Sequence, residues 1–222
     1  MIIAIDGPVA SGKSTVARLL AEKLDYYYLA SGLLFRAYAY CIMQQHINVH
    51  AIMNMSENEL RALLNTITIV YTYNKENKEQ VWHNQQLLNP LLTNPEIAQA
   101  ASYIGTNARI RDHLVAVQRA IAQKQNIVTE GRDAGSVVFP HADYKFYITA
   151  SSEVRARRWQ EFQHHKGIFI SHEQALQEIT HRDNRDSKRT YAPLVIAPGA
   201  HVIDSSTLDQ QELLMAIYSW IL

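Results

Sequence analysis

The sequence predicts an α/β fold in which five parallel strands form one sheet and helices flank it. The first observation is that short apolar runs alternate with helical patterns along most of the 222 residues. The second is a glycine-rich turn, residues 7–12, between the first apolar run and the first helical pattern. The third is a segment within 60–93 that alternates with period two, which predicts a separate antiparallel unit.

Five apolar runs have the length of buried strands, and seven longer stretches repeat apolar residues at helical spacing. The predicted strands are 2–6, 26–29, 126–130, 144–149 and 201–204. The predicted helices are 13–24, 32–46, 95–105, 108–124, 152–165, 171–188 and 208–221. Ser56 with Glu59, and Ser171 with Gln174, have the spacing of capping boxes, and Pro95 suits a first helical turn.

The segment that interrupts this order places apolar and aromatic residues at every second position of 67–73. A polar turn over 74–79 and a second turn at 84–85 separate it from two further short runs. We therefore expect a small antiparallel β insertion at about 60–93 in a single domain, 1–222. The core of that domain is then 1–59 and 94–222.

Composition limits the expected partners and location. The formal net charge is zero, so nothing global attracts the chain to a nucleic-acid polymer or to a membrane. Cys41 is the single cysteine and lies in an apolar helical stretch, which predicts a core residue, no internal disulfide and a cytoplasmic location. The chain enters its first strand without a signal-peptide pattern, and its longest apolar stretches are shorter than a membrane span.

Residues 7–14 fit G-x-x-x-x-G-K-[ST], the loop that cradles the phosphates of a nucleoside triphosphate. Strand, loop and helix follow in the order that the motif needs, and the helix N-terminus would point its N–H groups at the anion. In this pattern Lys13 reaches the β- and γ-phosphates, and the Ser14 hydroxyl ligates Mg²⁺. The predicted ATP-binding residues are Gly7, Pro8, Val9, Ala10, Ser11, Gly12, Lys13, Ser14 and Thr15. The alternative is a strand–helix turn without a ligand.

Four charged residues, Arg182, Arg185, Asp186 and Arg189, have the offsets of one helix face. Arg185 and Arg189 repel each other at i,i+4 unless an anion lies between them, and in a chain with a phosphate loop this favours a phosphate site. The alternative is a solvent-exposed face on which Arg182 pairs with Asp186.

Charged residues also end the predicted strand 126–130. Glu130 is its last residue, and Arg132 and Asp133 follow Gly131. Ligands of open α/β sheets bind at the carboxyl ends of strands, so Arg132 is a candidate for phosphate and Glu130 for the hydration shell of Mg²⁺. An ordinary turn with surface charges is the alternative.

Two further groups give weaker signals. Ser31 is placed to cap the helix that contains Arg36. Three arginines, Arg155, Arg157 and Arg158, follow a strand and a serine cap, and they either close over transferring phosphates or face solvent.

Together these motifs resemble the bacterial cytidylate kinases along nearly the whole chain. The matching motifs are the glycine loop, Ser31-Gly32-x-x-x-Arg36, Ala101-Ser102 with Arg111, Gly131-Arg132-Asp133-x-Gly135, and Arg182-Asp183-x-Arg185-Asp186-x-x-Arg189. The resemblance implies a P-loop kinase core with a β insertion and a short helical lid at about 155–170. It also implies a monomer that transfers a phosphoryl group from ATP, with Mg²⁺, to CMP or dCMP.

The resemblance also implies a role for each matching residue. Cytosine would contact Ser102, Arg111 and Asp133. The monophosphate would be clamped by Arg36, Arg132 and Arg189. The ribose would lie near Ser31, Arg182 and Asp186. The lid would carry Arg155, Arg157 and Arg158. The predicted catalytic residues are Lys13, Arg132 and Arg189.

The chain departs from the family's usual pattern at Ala30 and Glu130, where Asp is usual, and at Phe35, where Tyr is usual. Two other functions remain open. One is a kinase for UMP, AMP or shikimate, and the other is a GTP-binding switch. A switch usually carries N-K-x-D, and Asn74-Lys75-Glu76-Asn77 lacks that Asp.

Overall fold

The computed structural model describes residues 1–76 and 78–221 and confirms the α/β fold. The strands are β1 Ile2–Asp6, β2 Tyr27–Ala30, β3 Ile69–Asn74, β4 Lys78–His83, β5 Gln86–Leu87, β6 Ile127–Gly131, β7 Tyr144–Thr149 and β8 His201–Asp204. The α-helices are α1 Lys13–Leu24, α2 Ser31–Gln44, α3 Glu57–Asn65, α4 Pro95–Ile104, α5 Ala108–Ala122, α6 Ser152–His164, α7 His172–Lys188 and α8 Gln210–Tyr218. Short 3₁₀ turns lie at Ala51–Asn54 and Leu91–Thr93, and a π-helical turn lies at Ala134–Val138.

The larger sheet has five strands in the order β2-β6-β1-β7-β8. Strand β1 pairs in parallel with β6 and β7, and β7 pairs in parallel with β8. Asp6 lies opposite Gly131, so β1 and β6 end side by side. The loops that follow these two strands therefore lie at the same edge of the sheet, where ligands of this fold class bind.

The chain forms two compact units, which we describe separately. The first unit comprises 1–26 and 126–222, and the second comprises 27–125. The first unit contains β1, β6, β7 and β8 with α1, α6, α7 and α8. Its core includes Ile3, Ile5, Val128, Phe146 and Ile148, all of which are buried.

The second unit contains β2, α2 to α5 and a three-stranded antiparallel sheet in the order β3-β4-β5. This sheet confirms the predicted β insertion. The predicted turn over 74–79 includes Asn77, which lies outside the described residues. Cys41 on α2 is buried, as expected, and burial raises the pKa of its thiol to about 11.

The sequence did not predict α3, although the capping box at Ser56 and Glu59 that begins it is present. The helix has nine residues, and Leu60, Leu63 and Leu64 form its buried face. So short a pattern covers too few turns to establish a helical period. The second predicted capping box, at Ser171, is also present, and α4 begins at Pro95 as expected.

The terminal helix is shorter than the predicted 208–221, because α8 begins at Gln210 after an Asp209 cap and ends at Tyr218. Leu222 lies outside the described residues. Within the described part of the chain, no helix combines the length and the apolarity needed to cross a membrane.

Candidate functional site

The glycine loop connects the end of β1 to the start of α1. A Cβ on Gly7 would lie 2.1 Å from the Ile148 carbonyl oxygen, so a residue with a side chain does not fit there. Gly12 caps α1 with φ +89°, a backbone conformation that favours glycine. The local sequence therefore produces a tight loop whose last residues lead into a helix N-terminus, an arrangement that binds phosphate.

Side chains of the first unit hold this loop in place. The Val9 N–H donates to Asp183 Oδ1 at 3.1 Å, and Arg155 donates to both the Val9 carbonyl, at 3.2 Å, and the Asp183 carboxylate. The Val9 side chain is buried in a cluster with Ala156, Ala175 and Ile179 of α6 and α7. The helix pair α6–α7 thus fixes one side of the loop before any ligand binds.

Lys13 lies buried across the same loop. Its ammonium donates to the Pro8 carbonyl oxygen at 2.8 Å. Burial lowers the pKa of Lys13 to about 7, and the positive charge of Arg132 is the second cause of this decrease. A phosphate beside it would offset both effects, because a nearby negative charge favours the protonated amine.

The Ser11 hydroxyl is a buried polar group without a hydrogen-bond partner among the described residues. Leaving such a group unsatisfied costs about 1–3 kcal/mol. A phosphate oxygen bound in the loop is an acceptor that would remove this cost, so the loop fits the triphosphate it is predicted to hold.

The predicted magnesium ligands are hard oxygen donors at the adjoining element ends. Ser14 is the second residue of α1, and Glu130 lies buried near the end of β6. Among the described residues, no three His, Cys, Asp or Glu side chains form a metal site by themselves. In kinases Mg²⁺ binds through one or two protein oxygens together with the substrate phosphates, and Ser14 and Glu130 are the predicted sources of such oxygens.

A network of two arginines and two carboxylates follows β6. Arg132 Nε donates to Asp186 Oδ2 at 2.7 Å, and Arg189 Nη2 lies 3.5 Å from Asp133 Oδ1. Arg189 Nη1 lies 3.9 Å from Asp186 Oδ1, which joins the two pairs. The structure thus brings together four of the residues predicted to bind the acceptor nucleotide.

Opposite charges control the protonation of this network. Burial favours neutral Asp186, but Arg132 and then Arg189 outweigh it and hold the pKa of that carboxyl below its ordinary value. Burial likewise opposes the charge of Arg132, but Asp186 and Glu130 raise its pKa above the ordinary value. Asp186 therefore stays ionised at neutral pH, and a phosphate would meet the Arg132 guanidinium in its charged form.

The predicted placement of Arg189 is wrong. Arg189 does not lie on a helix face with Arg182 and Asp186, because α7 ends at Lys188 and Arg189 has extended backbone angles. The chain turns back there, with the Leu194 N–H donating to the Asp186 carbonyl at 2.8 Å, and this turn brings Arg189 near Asp133.

Ser31 does not cap α2. It is the first residue of that helix, and the cap position is Ala30, which makes no side-chain hydrogen bond to the helix. The helix begins one residue earlier than predicted, and the Ala30 N–H that precedes it donates to the Tyr71 hydroxyl at 2.9 Å.

The remaining arginines of the first unit lie around α6 and α7. The Arg182 guanidinium lies over the Trp159 ring, 5.4 Å from its centroid. Arg158 donates to Ser205 and Leu208, and Arg157 is exposed. Arg155 and Arg158 therefore contact the surroundings of the glycine loop, and their predicted role as lid residues stays a prediction.

The second unit holds the other predicted acceptor residues. Arg36 on α2 donates to the Leu92 carbonyl at 3.2 Å. Arg111 on α5 is buried, donates to the Gly105 carbonyl at 2.9 Å, and lies over the Phe35 ring at 5.1 Å. Ser102 is half-buried on α4, which packs against α2. Phe35, a departure from the family pattern, thus contacts a residue that is predicted to bind the base.

Sequence reasoning missed Asp6, the last residue of β1. Its two carboxylate oxygens accept the N–H groups of Ala134 and Gly135, each at 2.8 Å. Burial raises the pKa of Asp6 to about 6 despite these bonds. The carboxylate fixes the turn that follows Arg132 and Asp133. The sequence does contain a feature that could have identified Asp6, namely an acidic residue that ends a buried strand directly before the glycine loop.

Sequence reasoning also missed Tyr71 of the β insertion. Its hydroxyl donates to the Tyr28 carbonyl at 3.0 Å and accepts the Ala30 N–H. These bonds fix the end of β2, from which α2 and Arg36 follow. The insertion therefore supports the start of a helix that carries predicted acceptor residues.

Comparison with known proteins identifies the family. Residues 3–221 match the cytidylate kinase family. The cytidylate kinase of Alkaliphilus metalliredigens is 40% identical over 205 residues, which cover 92% of this chain and 88% of that protein. The cytidylate kinase of Halalkalibacterium halodurans is 35% identical and covers 100% and 97%.

A solved structure supports the fold alone. An uncharacterized protein from Eubacterium ventriosum aligns with a TM-score of 0.51 at 14% identity, covering 100% of this chain and 98% of that one. The family itself rests on the sequence matches, which extend over the glycine loop, the network after β6 and the predicted acceptor residues of the second unit. On that ground the chain is a member of the cytidylate kinase family.

Proposed function

We propose that this chain transfers the γ-phosphoryl group of ATP to CMP and dCMP, and so forms ADP with CDP or dCDP. Membership of the cytidylate kinase family supports a nucleoside monophosphate kinase. The observation that carries the proposal is the pairing of a preformed glycine loop with the Arg132–Asp186–Arg189–Asp133 network in the same unit. One element suits a triphosphate, and the other suits a monophosphate.

The donor triphosphate would bind at residues 7–15, with the N–H groups at the start of α1 directed to its phosphates. Lys13 would leave the Pro8 carbonyl and donate to the β- and γ-phosphates. Ser14, with Glu130 acting through water, would hold Mg²⁺, which when bound neutralises charge on the phosphates. The Lys13 ammonium would then stabilise the negative charge that moves onto the β-phosphate oxygens of the departing ADP.

The acceptor phosphate would be clamped by Arg36, Arg132 and Arg189. An arginine grips two phosphate oxygens at once through its planar fork, which holds the nucleophilic oxygen in line with the γ-phosphorus. That oxygen is already ionised, so the reaction needs no strong general base. Catalysis then consists of positioning and of charge stabilisation by Lys13 and the arginines.

The cytosine base would be recognised by Asp133, Arg111 and Ser102. Asp133 would accept from the exocyclic amino group, while Arg111 and Ser102 would donate to the ring nitrogen and carbonyl. Uracil would present an acceptor where Asp133 needs a donor, and the unsatisfied buried carboxylate would make UMP a poor substrate. Arg182 and Asp186 would lie at the ribose, with Ser31 near them.

The segment at about 155–170 would act as a lid over the nucleotides. Its closure would exclude water, which otherwise competes with CMP for the γ-phosphoryl group. Arg155, Arg157 and Arg158 are the lid arginines in this proposal. We expect a monomer in solution.

The experiment is a measurement of ADP formation from ATP and Mg²⁺ with CMP, dCMP, UMP, AMP, GMP, shikimate or no acceptor. We expect strong stimulation by CMP and dCMP and weak activity with the others. Stimulation by a different acceptor would overturn the base-binding roles proposed for Ser102, Arg111 and Asp133. The proposed phosphate-binding residues would be unaffected by that result. Tight GTP binding without turnover on any acceptor would favour a switch instead.

A further inference from the structure

A buried serine that follows β8 donates a hydrogen bond to the backbone of the glycine loop. Ser205 is 0% exposed, and its hydroxyl donates to the Ser11 carbonyl oxygen at 2.9 Å. Its backbone N–H donates to the Thr149 carbonyl at 2.8 Å, and this bond fixes the backbone position from which the Ser205 side chain extends. The two serines are 194 positions apart in the sequence, and the parallel pairing of β8 with β7 brings them together.

Arg158 completes this arrangement. It donates to the Ser205 hydroxyl at 2.9 Å and to the Ser205 carbonyl at 2.7 Å. The hydroxyl therefore accepts from a cation while it donates to Ser11, and such a chain of hydrogen bonds strengthens each member. The same guanidinium lies 3.9 Å from the position that a Cβ on Gly12 would occupy.

A hydrogen bond to the Ser11 carbonyl also determines the direction of the next amide. The peptide between Ser11 and Gly12 is planar and trans, so its C=O and N–H point in opposite directions. With the Ser11 carbonyl held by Ser205, the Gly12 N–H is directed away from Ser205. Glycine rotates freely because it lacks a side chain, so this external bond supplies a constraint that residue 12 cannot supply itself.

We propose that Ser205 is a positioning residue for nucleotide binding, which orients the Gly12 N–H toward the phosphates of ATP. The proposal rests on the proposed function in requiring ATP at the loop, and it is independent of the acceptor. Ser205 acts through the loop backbone, since its hydroxyl proton is already donated to Ser11.

The test compares Ser205→Ala with Ser206→Ala as a matched control. The Ser206 hydroxyl donates to Asp204 and accepts the Ser151 N–H, so the control loses neighbouring hydrogen bonds that do not involve the glycine loop. For both variants we would measure the Kd for ATP by calorimetry without acceptor, the KM for ATP and for CMP, and the Tm.

We expect Ser205→Ala to raise the Kd and KM for ATP about tenfold, because one aligned N–H–phosphate bond is lost. The KM for CMP should change by less than about twofold, since the acceptor residues are untouched. Ser206→Ala should leave both nucleotides unaffected at a similar Tm. An unchanged Kd for ATP in Ser205→Ala, or an equal rise in the control, would overturn the proposal.

Two further outcomes are informative. If Ser205→Ala does not fold at the assay temperature, Ser205→Cys replaces it, because the thiol fills the space and is a weak donor. The ATP-specific rise is then expected to be smaller, and wild-type ATP affinity would overturn the proposal. A wild-type chain that binds ATP but shows no CMP-dependent turnover would contradict the proposed function alone.

Discussion

The cationic residues predicted to bind the two nucleotides are held differently in the two units. In the first unit Arg132 and Arg189 lie against the carboxylates of Asp186 and Asp133. In the second unit Arg36 and Arg111 donate to the backbone carbonyls of Leu92 and Gly105. A carboxylate fixes an arginine and neutralises part of its charge, whereas a carbonyl accepts the hydrogen bond without neutralising the charge.

Arginine therefore contributes to this protein in two ways. The arginines of the first unit are expected to stabilise the fold as well as the substrate, because a buried carboxylate depends on each of them. The bonds of Arg36 and Arg111 to neutral carbonyls involve no such charge pair, so their loss is expected to cost less stability. Lys13 belongs to the first unit but follows the second pattern, since its described partner is the Pro8 carbonyl.

The largest expected effect is therefore that of Lys13→Ala. We expect kcat/KM to fall about 10³-fold, because the charge next to the transferring phosphoryl group is lost. The Tm should not decrease, since the variant removes a buried amine whose protonated form is disfavoured in the folded state. Steady-state kinetics and thermal melts provide the measurement, and an active variant would contradict the assignment of the loop.

Arg189→Ala, with Arg36→Ala as its counterpart in the second unit, tests the comparison directly. Arg189→Ala should reduce kcat/KM for CMP about 10²-fold and destabilise the fold by about 3 kcal/mol, because Asp133 loses a buried partner. Arg36→Ala should have a similar kinetic effect but cost less stability than Arg189→Ala, since its partner at Leu92 is a neutral carbonyl and not a buried carboxylate.

Kinetics with CMP and chemical denaturation of both variants would show whether the loss of kcat/KM and the loss of folding stability vary independently. Equal losses of stability would mean that carboxylate and carbonyl partners do not distinguish the units. Unchanged CMP kinetics in both variants would remove the arginines from the acceptor site.

A smaller effect is expected for Asp133→Ala, which tests base recognition. The ratio of kcat/KM for CMP to that for UMP should fall by at least about tenfold, because the acceptor for the cytosine amino group is lost. The KM for ATP serves as the internal control and should change less. A constant ratio of CMP to UMP would exclude Asp133 as the base-reading residue.

The smallest expected effect is a proton taken up when ATP binds. The pKa of Lys13 is lowered to about 7 from 10.5, so between these values the empty protein holds a neutral amine. The charges of ATP favour the protonated form, so binding takes up a proton in this range and the affinity falls as pH rises. Below pH 7 Lys13 is already protonated, and this uptake disappears.

Calorimetric titration of ATP at pH 8, in buffers with different ionisation enthalpies, measures this uptake. We expect a fraction of a proton for the wild type and none for Lys13→Ala. An equal uptake by both would assign the proton to another group.

The sequence predicts the sheet well because its strands are local apolar runs. Strands β1, β7 and β8 match the predictions without change, since each is bounded by polar or loop-forming residues. Helix α1 likewise follows from the spacing after the glycine loop. These features depend on short-range patterns, which a sequence displays directly.

What the sequence does not display is hydrogen bonding between distant segments. Asp6 and Ala134 are 128 positions apart, and neither has a local feature that indicates the other. Arg189 shows the same limit of sequence reasoning. The helical pattern of charges was read through Arg189, although the helix ends at Lys188 and the chain turns back there. The residue types of the candidate site were predictable from motifs, whereas their supports depend on the tertiary arrangement.

The burial of Cys41 has a practical consequence for spectroscopy. A thiol reacts as its thiolate, and a pKa of about 11 leaves almost none at neutral pH. As this is the single cysteine of the chain, a new cysteine placed on the surface would carry a maleimide dye or spin label with little background. Pairs of such labels, one in each unit, would report nucleotide-dependent distances without first removing a native thiol.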